Sequence, residues 1–280
     1  RLEATGISEN FGLLIGHNTL RGSAMGGANR PPSSQELEAM MEGARRGMAE
    51  GALGLSTGLV YAPACFSRPD ELATIAAAVR EAGGVLTCHM RSEGDGLLEA
   101  IEEIIGVAEQ ADISLQISHL KTSGERNWPK LHEALRCIEE ARVRGLDVSY
   151  DRYPYTASNT GLQAVLPDWA LEGGQRERVE RLGNPAARAR ITQELITRYP
   201  VDYWSRLMIS EVTREEHRRY EGLRVAEAAK LADQVPVDFI LDLLLAEQMQ
   251  VDAIFFTMCE ENLETILARS YAMIGSDSGC

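Results

Sequence analysis

The stretch GVLTCHMRSEGDGLLEAIEEIIGVAEQADISLQISHL, Gly84 to Leu120, decides the fold. It opens on a short apolar run, passes through a helical stretch from Gly96 to Gln110, and returns to a second apolar run that closes on His119. A strand, a crossover helix and a second strand of this length form a parallel βαβ unit. The same unit recurs outward in both directions. FGLLIGH (Phe11 to His17), ALGLSTG (Ala52 to Gly58) and LDVSYD (Leu146 to Asp151) are further runs, and AMIGSDSG (Ala272 to Gly279) is the last. In the first half the runs recur every ~30–40 residues, which leaves one helix per gap. Each is nearly continuous in apolar or small residues, which predicts strands buried on both faces.

The helices between them carry their own punctuation. Ser34 is expected to cap QELEAMMEGARRGMAEG, with Gly51 at its stop. Pro69 opens the next helix and Gly83-Gly84 ends it, while 129–144 supplies another that ends at Gly145. Two architectures fit repeated βα units, a doubly wound open sheet and a (β/α)8 barrel. No G-x-G-x-x-G follows any strand. Polar residues recur instead at strand ends: His17, Ser56-Thr57, His89, His119 and Asp151. A barrel builds its site at that face, so the barrel is the expectation. After Asp151 the rhythm stops. RYPYTASNTGLQAVLPDWALEGG is irregular, and from Gln175 to Glu247 the chain is charged and mainly helical, with a short strand expected over Arg206 to Val212.

Composition narrows the function. The 280 residues are 44% hydrophobic and 25% charged, so the chain is globular. A net charge of -14 argues against a general nucleic-acid binder, which needs clustered cations. Nothing approaches 18 consecutive apolar residues, so no membrane span is expected. RLEATGISEN lacks the character of a secretory signal. Cys65, Cys88, Cys137, Cys259 and Cys280 are odd in number and form no CxxC, which suits free thiols and a cytoplasmic location.

His89 and His119 end adjacent expected strands, so their side chains should converge. Imidazole is a common zinc ligand, and two of them with carboxylate or thiolate ligands make a catalytic site with an open position. Asp277 follows the last run and would reach the same face, placed to take a proton from water and return it to a leaving amine. Taken singly, each also reads as an ordinary core or surface residue; their equivalent positions point to a site. Lys121 and Arg91 lie two residues beyond the two histidines, on the same faces if strand geometry persists, and are candidate cations for binding a substrate carboxylate. Arg91 could equally pair with Glu93 or a loop carboxylate. His17 could hydrogen-bond into the site or sit in the core, His132 and His217 should be solvated, and Trp169 could pack or wall a pocket.

GALGLSTGLVYAP, TCHMRSEGD, ISHLKTSG, DRYPYTASNT and MIGSDSG, in this order, resemble the N-acyl-D-amino-acid deacylase (D-aminoacylase) family of the metal-dependent amidohydrolase superfamily. The resemblance runs from GLLIGHNTLRG to the last residue and is weakest between Gln175 and Glu247. It implies a distorted (β/α)8 TIM barrel with zinc, one or two ions, at its mouth and hydrolysis of the amide of N-acyl-D-amino acids. It implies His89 and His119 as the fifth- and sixth-strand ligands and Asp277 as the catalytic acid/base. Lys121, Tyr153 and Ser158 would bind the substrate carboxylate. The family's first-strand His-x-His and its Gly-Asn-Cys-Gly stretch are absent from the sequence. Cys88 is no substitute, because adjacent strand residues face opposite sides.

The α/β chain is therefore expected to hold strands 3–8 of an incomplete barrel, as a piece of a longer protein. Residues 1–159 would carry strands 3–7, 160–247 a mainly helical insertion over the barrel mouth, and 248–280 the return to strand 8. Further zinc ligands would lie outside it, leaving the chain alone a weak zinc binder and a poor catalyst. The expected partner is a small-molecule N-acyl amino acid, with homo-oligomerisation left open. A cyclic amidohydrolase of hydantoinase or dihydroorotase type, or a non-catalytic degenerate barrel, are the alternative readings.

Overall fold

The computed structural model describes Gly6 and residues 10–278; Cys280 and the final Gly279 of the last run lie outside the described residues, as do most of the first nine. The chain begins with β1 (Leu14–Gly16), α1 (His17–Met25), α2 (Ser34–Ala49), β2 (Gly54–Gly58) and α3 (Pro69–Arg80). It continues through β3 (Val85–His89), α4 (Leu97–Ala111), β4 (Leu115–Ile117), α5 (Leu131–Val143) and β5 (Val148–Arg152). Then come β6 (Ser158–Gly161), α6 (Gln175–Gly183), α7 (Pro185–Arg198), β7 (Leu207–Val212), α8 (Val225–Leu231) and α9 (Pro236–Ala246). The last elements are β8 (Val251–Phe255), α10 (Glu260–Leu267) and β9 (Ala272–Ile274).

Six strands form one parallel sheet in the order β1-β2-β3-β4-β5-β9. Each strand pairs with the next of its kind, with no reversal of direction along the sheet. A doubly wound sheet would reverse at a switch point, so the winding is that of a (β/α)8 barrel. The helices α2 to α5 pack on one face. Leu55, Leu86, Cys88, Leu115, Ile117, Val148 and Tyr150 point into that layer and are buried. The other face carries Thr87, His89, Gln116, Ser149 and Asp151, which are half-buried. Burial on both faces was the expectation from the apolar runs; the alternation arises because these polar side chains occupy every second position.

Local signals account for the ends. Ser33, not Ser34, caps α2, in a capping box with Glu36: the Glu36 N–H donates to Ser33 Oγ at 3.3 Å and the Ser33 N–H to Glu36 Oε2 at 2.7 Å. Pro69 sits in the first turn of α3. Gly54 pairs with Val85 where β2 and β3 begin, and a Cβ there would stand 2.2 Å from the Val85 carbonyl oxygen.

The second unit has its own sheet and core. β6, β8 and β7 form an antiparallel sheet with β8 in the centre. Trp204, Leu207, Ile209, Phe239, Ile240, Leu244, Val251 and Ala253 make its core. The segment 248–280, read as a return to the barrel, thus first supplies the central strand of the insertion. The reason is in VDAIF, where buried Val251, Ala253 and Phe255 alternate with Asp252 and Ile254. The unit is also less purely helical than its charge suggested. His217, expected in solvent, instead lies against the buried carboxylate of Glu247, which also accepts from the N–H of Thr213 at 2.7 Å and of Arg214 at 3.2 Å. Trp169 packs under Arg190 and donates to Glu194. Among the described residues no helix is long and apolar enough to cross a membrane, and Cys65, Cys88, Cys137 and Cys259 are free thiols.

Two outcomes follow. Gly54→Ala should destabilise the chain by about 1–3 kcal/mol, because backbone rather than a flexible side chain meets the new methyl; chemical denaturation reads this directly. Burial works to raise the Glu247 pKa, but the hydrogen bonds from Thr213, His217 and Arg214 outweigh it and hold the carboxyl below its ordinary value. Its contribution is therefore present above the unfolded-state carboxyl pKa and is lost as pH falls through the lower folded value. Glu247→Gln should cost about 1.5–3 kcal/mol at neutral pH, and thermal melts should show the gap to the parent closing in acid.

Candidate metal centre

β2, β3 and β4 run side by side, with Gly58 opposite His89 and Cys88 opposite Ile117. His89 is the last residue of β3 and lies on the face opposite the helix layer, as its neighbour Cys88 is buried in that layer. β4 ends at Ile117, two residues before His119. Strand alternation would put His119 on the same side as buried Ile117, away from His89. The backbone prevents this. His119 has φ 42°, a left-handed conformation, and its ring meets that of His89 edge-on with centroids 4.3 Å apart.

Glu93 completes the group. One ligand atom from each of His89, Glu93 and His119 lies within 4.8 Å of the others. His119 Nδ1 is 2.9 Å from Glu93 Oε1, and His89 Nε2 is 4.0 Å from the same oxygen. Lys121 is buried beside them; its Nζ donates to the Glu93 carboxylate and lies 2.7 Å from His119 Nδ1. Burial pushes the His89 pKa down to about 3, helped by His119 and Lys121 against Glu93, so the imidazole is neutral. Burial works to raise the pKa of Glu93, but Lys121, His89 and His119 outweigh it, and the carboxyl is held well below its ordinary range. Burial lowers the Lys121 pKa, with Glu93 opposing. Two imidazoles, that of His89 held neutral, and an ionised carboxylate converging at this spacing form a donor set that suits zinc.

Around this core stand aromatic side chains. The Tyr61 ring lies 4.9 Å from that of His89, and its hydroxyl is 3.1 Å from Thr160 Oγ1 on β6, which ties the insertion to the site. Tyr153 is buried, with its ring 6.4 Å from that of His119 and the Arg152 guanidinium 4.0 Å over its face. Its hydroxyl has no hydrogen-bond partner among the described residues, and burial pushes its pKa up to about 12. A cavity of about 650 Å³ opens beside Glu93, between the loops after β3 and β4 and the insertion. Tyr199, Tyr203, Arg126, Arg198 and Arg206 line it.

The residues singled out from the sequence divide as follows. His89, His119 and Lys121 come together, with Tyr153 beside them. Asp277 is exposed on the turn after β9, outside the compact triad, yet its charge acts on Tyr61, Lys121 and Tyr153. Ser158 opens β6 opposite Phe255. Arg91 requires correction: its guanidinium is committed to Glu103 and to the carbonyl oxygens of Cys65 and Ser67, because the chain turns away after Met90 and breaks strand geometry. His17 is buried between Thr57 at 2.9 Å and Glu71 at 3.1 Å, with Arg21 on the same carboxylate, and is a core group. Glu93 and Tyr61 were missed as members of the site. Glu93 stands four residues after His89, and from sequence alone it reads only as a partner for Arg91.

No family model matches the chain. It is 37% identical over 162 residues to a D-aminoacylase of Alcaligenes xylosoxydans xylosoxydans, covering 58% of this chain and 33% of that protein. An N-acyl-D-glutamate deacylase of the same organism is 36% identical over 159 residues, covering 57% and 33%. In three dimensions the chain resembles the N-acyl-D-glutamate deacylase of Bordetella bronchiseptica, solved with zinc and a phosphonate inhibitor. The TM-score is 0.78 at 27% identity, over 99% of this chain and 50% of that one. The chain thus spans about a third of the length of the curated relatives it matches. The ordered strand-end motifs, the sheet winding and these similarities agree: over the length it spans, the chain is similar to the D-aminoacylase/N-acyl-amino-acid deacylase branch of the metal-dependent amidohydrolase superfamily.

Proposed function

We propose that this chain serves a metal-dependent amidohydrolase that cleaves the amide bond of N-acyl-D-amino acids. The observation that carries this reading is the convergence of His89, Glu93 and His119 within 4.8 Å at the C-terminal ends of adjacent parallel strands. The parallel sheet is read as strands three to eight of a (β/α)8 barrel, whose sites lie at that face. His89, Glu93 and His119 would hold the ion. When bound, zinc supplies Lewis acidity, which polarises an amide carbonyl and acidifies water.

The remaining chemistry belongs to the chain. Asp277 takes a proton from the attacking water and delivers it to the departing nitrogen. Its place on the turn after β9, where its charge reaches Lys121 and Tyr153, supports this role. Lys121, Tyr153 and Ser158 hold the substrate carboxylate. The hydroxyl of Tyr153 lacks an internal partner and is free to donate, as a buried hydroxyl must to some acceptor. The cavity beside Glu93 falls within the ~300–1,000 Å³ range of small-molecule sites, which suits the acyl group and the amino-acid side chain.

The test is a substrate panel of N-acetyl-D-amino acids, their L enantiomers and a hydantoin, run with metal analysis of variants. In the longer protein that this chain is read as a piece of, free D-amino acid should appear from the linear D substrates alone, with slower turnover by the chain by itself; ring opening of the hydantoin instead would favour the cyclic reading, and turnover of neither by the longer protein would reject the activity. His89→Ala and His119→Ala should each abolish the zinc that the parent protein binds. Asp277→Asn should leave zinc in place and lower turnover by about 10²–10⁴-fold. Equal loss of zinc and turnover in Asp277→Asn would make it chiefly a ligand.

A further inference from the structure

The metal centre depends on a residue that does not belong to it. Asp151 is the penultimate residue of β5, beside β4 in the sheet. Where the β4 ladder stops at Ile117, the Asp151 side chain continues it. Its Oδ1 accepts the His119 N–H at 2.6 Å and its Oδ2 accepts the Gln116 side-chain amide at 2.5 Å. The Asp151 carbonyl accepts the Leu120 N–H at 2.9 Å. One residue therefore grips the chain on both sides of the left-handed turn at His119. Gly275, at the end of β9, approaches so closely that a Cβ there would lie 3.3 Å from the Asp151 carboxyl carbon.

This grip matters because of direction. An extended His119 would follow Ile117 into the helix layer. With φ at 42° its imidazole turns instead to His89 and Glu93. A β-carbon makes that conformation unfavourable, so it persists only where the surroundings impose it. A charge-assisted hydrogen bond to the backbone N–H of the same residue is the contact that imposes it here.

We propose that Asp151 is a positioning residue for the metal centre, whose carboxylate holds His119 in the left-handed conformation that aims its imidazole at His89 and Glu93. The proposal rests on the metal-centre reading, and its test separates the two. The first readout needs no metal. In the ¹⁵N-labelled chain, the His119 amide proton should be shifted downfield by the carboxylate, with a coupling constant that reports positive φ. Asp151→Ala should abolish both signatures, while Asp151→Asn, a weaker acceptor that Gln116 can accommodate by turning its amide, should keep them in reduced form.

The second readout is zinc titration of the same proteins, checked for native circular dichroism. Affinity should fall about 10–100-fold in Asp151→Ala, the loss typical of an outer-shell partner, and less in Asp151→Asn. A general loss of stability would not produce this order in folded protein. An unchanged His119 amide in Asp151→Ala, or parental zinc affinity in it, would overturn the proposal. If Asp151→Ala does not fold, Asp151→Asn decides: no movement of the His119 amide overturns it. Zinc binding absent from the parent would defeat the metal reading, and the amide measurement would still judge the role of Asp151.

Discussion

The left-handed turn at His119, clamped by Asp151, is the constraint on which the rest of the site depends. Parallel strands can bring two histidines to the same edge of a sheet. They cannot make both face the same way when one sits at an even and the other at an odd step from the paired core positions. Cys88 and Ile117 pair in register and both are buried in the helix layer. His89 is one step beyond the first and His119 two steps beyond the second. Only a break in extended geometry at His119 can bring the rings together, and the backbone supplies it at that residue.

Around that pair the charges are arranged to keep lone pairs available. The imidazole of His89 stays neutral because it is buried. Glu93 stays ionised against its own burial because Lys121 lies on its carboxylate. A buried carboxylate or ammonium alone would be costly, and the pair makes both tolerable. Lys121 and Glu93 therefore belong to one electrostatic unit with His119, and a change in either would be felt by the other two. The His17–Glu71–Arg21 cluster is a contrasting case: it is equally buried, yet it binds α1 to α3 and takes no part in the centre.

The insertion contributes shape. Its antiparallel sheet has an independent core, and Tyr61 on the loop after β2 reaches Thr160 on β6. The cavity beside Glu93 exists only where these two units face each other. The end of β3 and the loops after β3 and β4 thus supply the candidate ligands, while the insertion supplies most of the far wall.

Much of this was legible in the residues themselves. Apolar runs separated by capped helices specified a parallel sheet, since burying such runs requires crossover helices. His89 and His119 stood out because each closed such a run. The short strand at Leu207–Val212 was also visible, whereas Ser158–Gly161 and Val251–Phe255 were not read as strands, because one is short and polar and the other alternates over only five residues. Glu93 and Tyr61 escaped notice because they lie on loops, where no periodicity announces which way a side chain points. Arg91 misled for the same reason: the two-residue rule fails once the chain leaves the strand. The sequence by itself determined the strands and helices of the parallel sheet, their order and the two histidines, because those follow from local patterning. Only the tertiary structure decided that the histidines face each other, since that depends on one backbone torsion held by a carboxylate from a neighbouring strand.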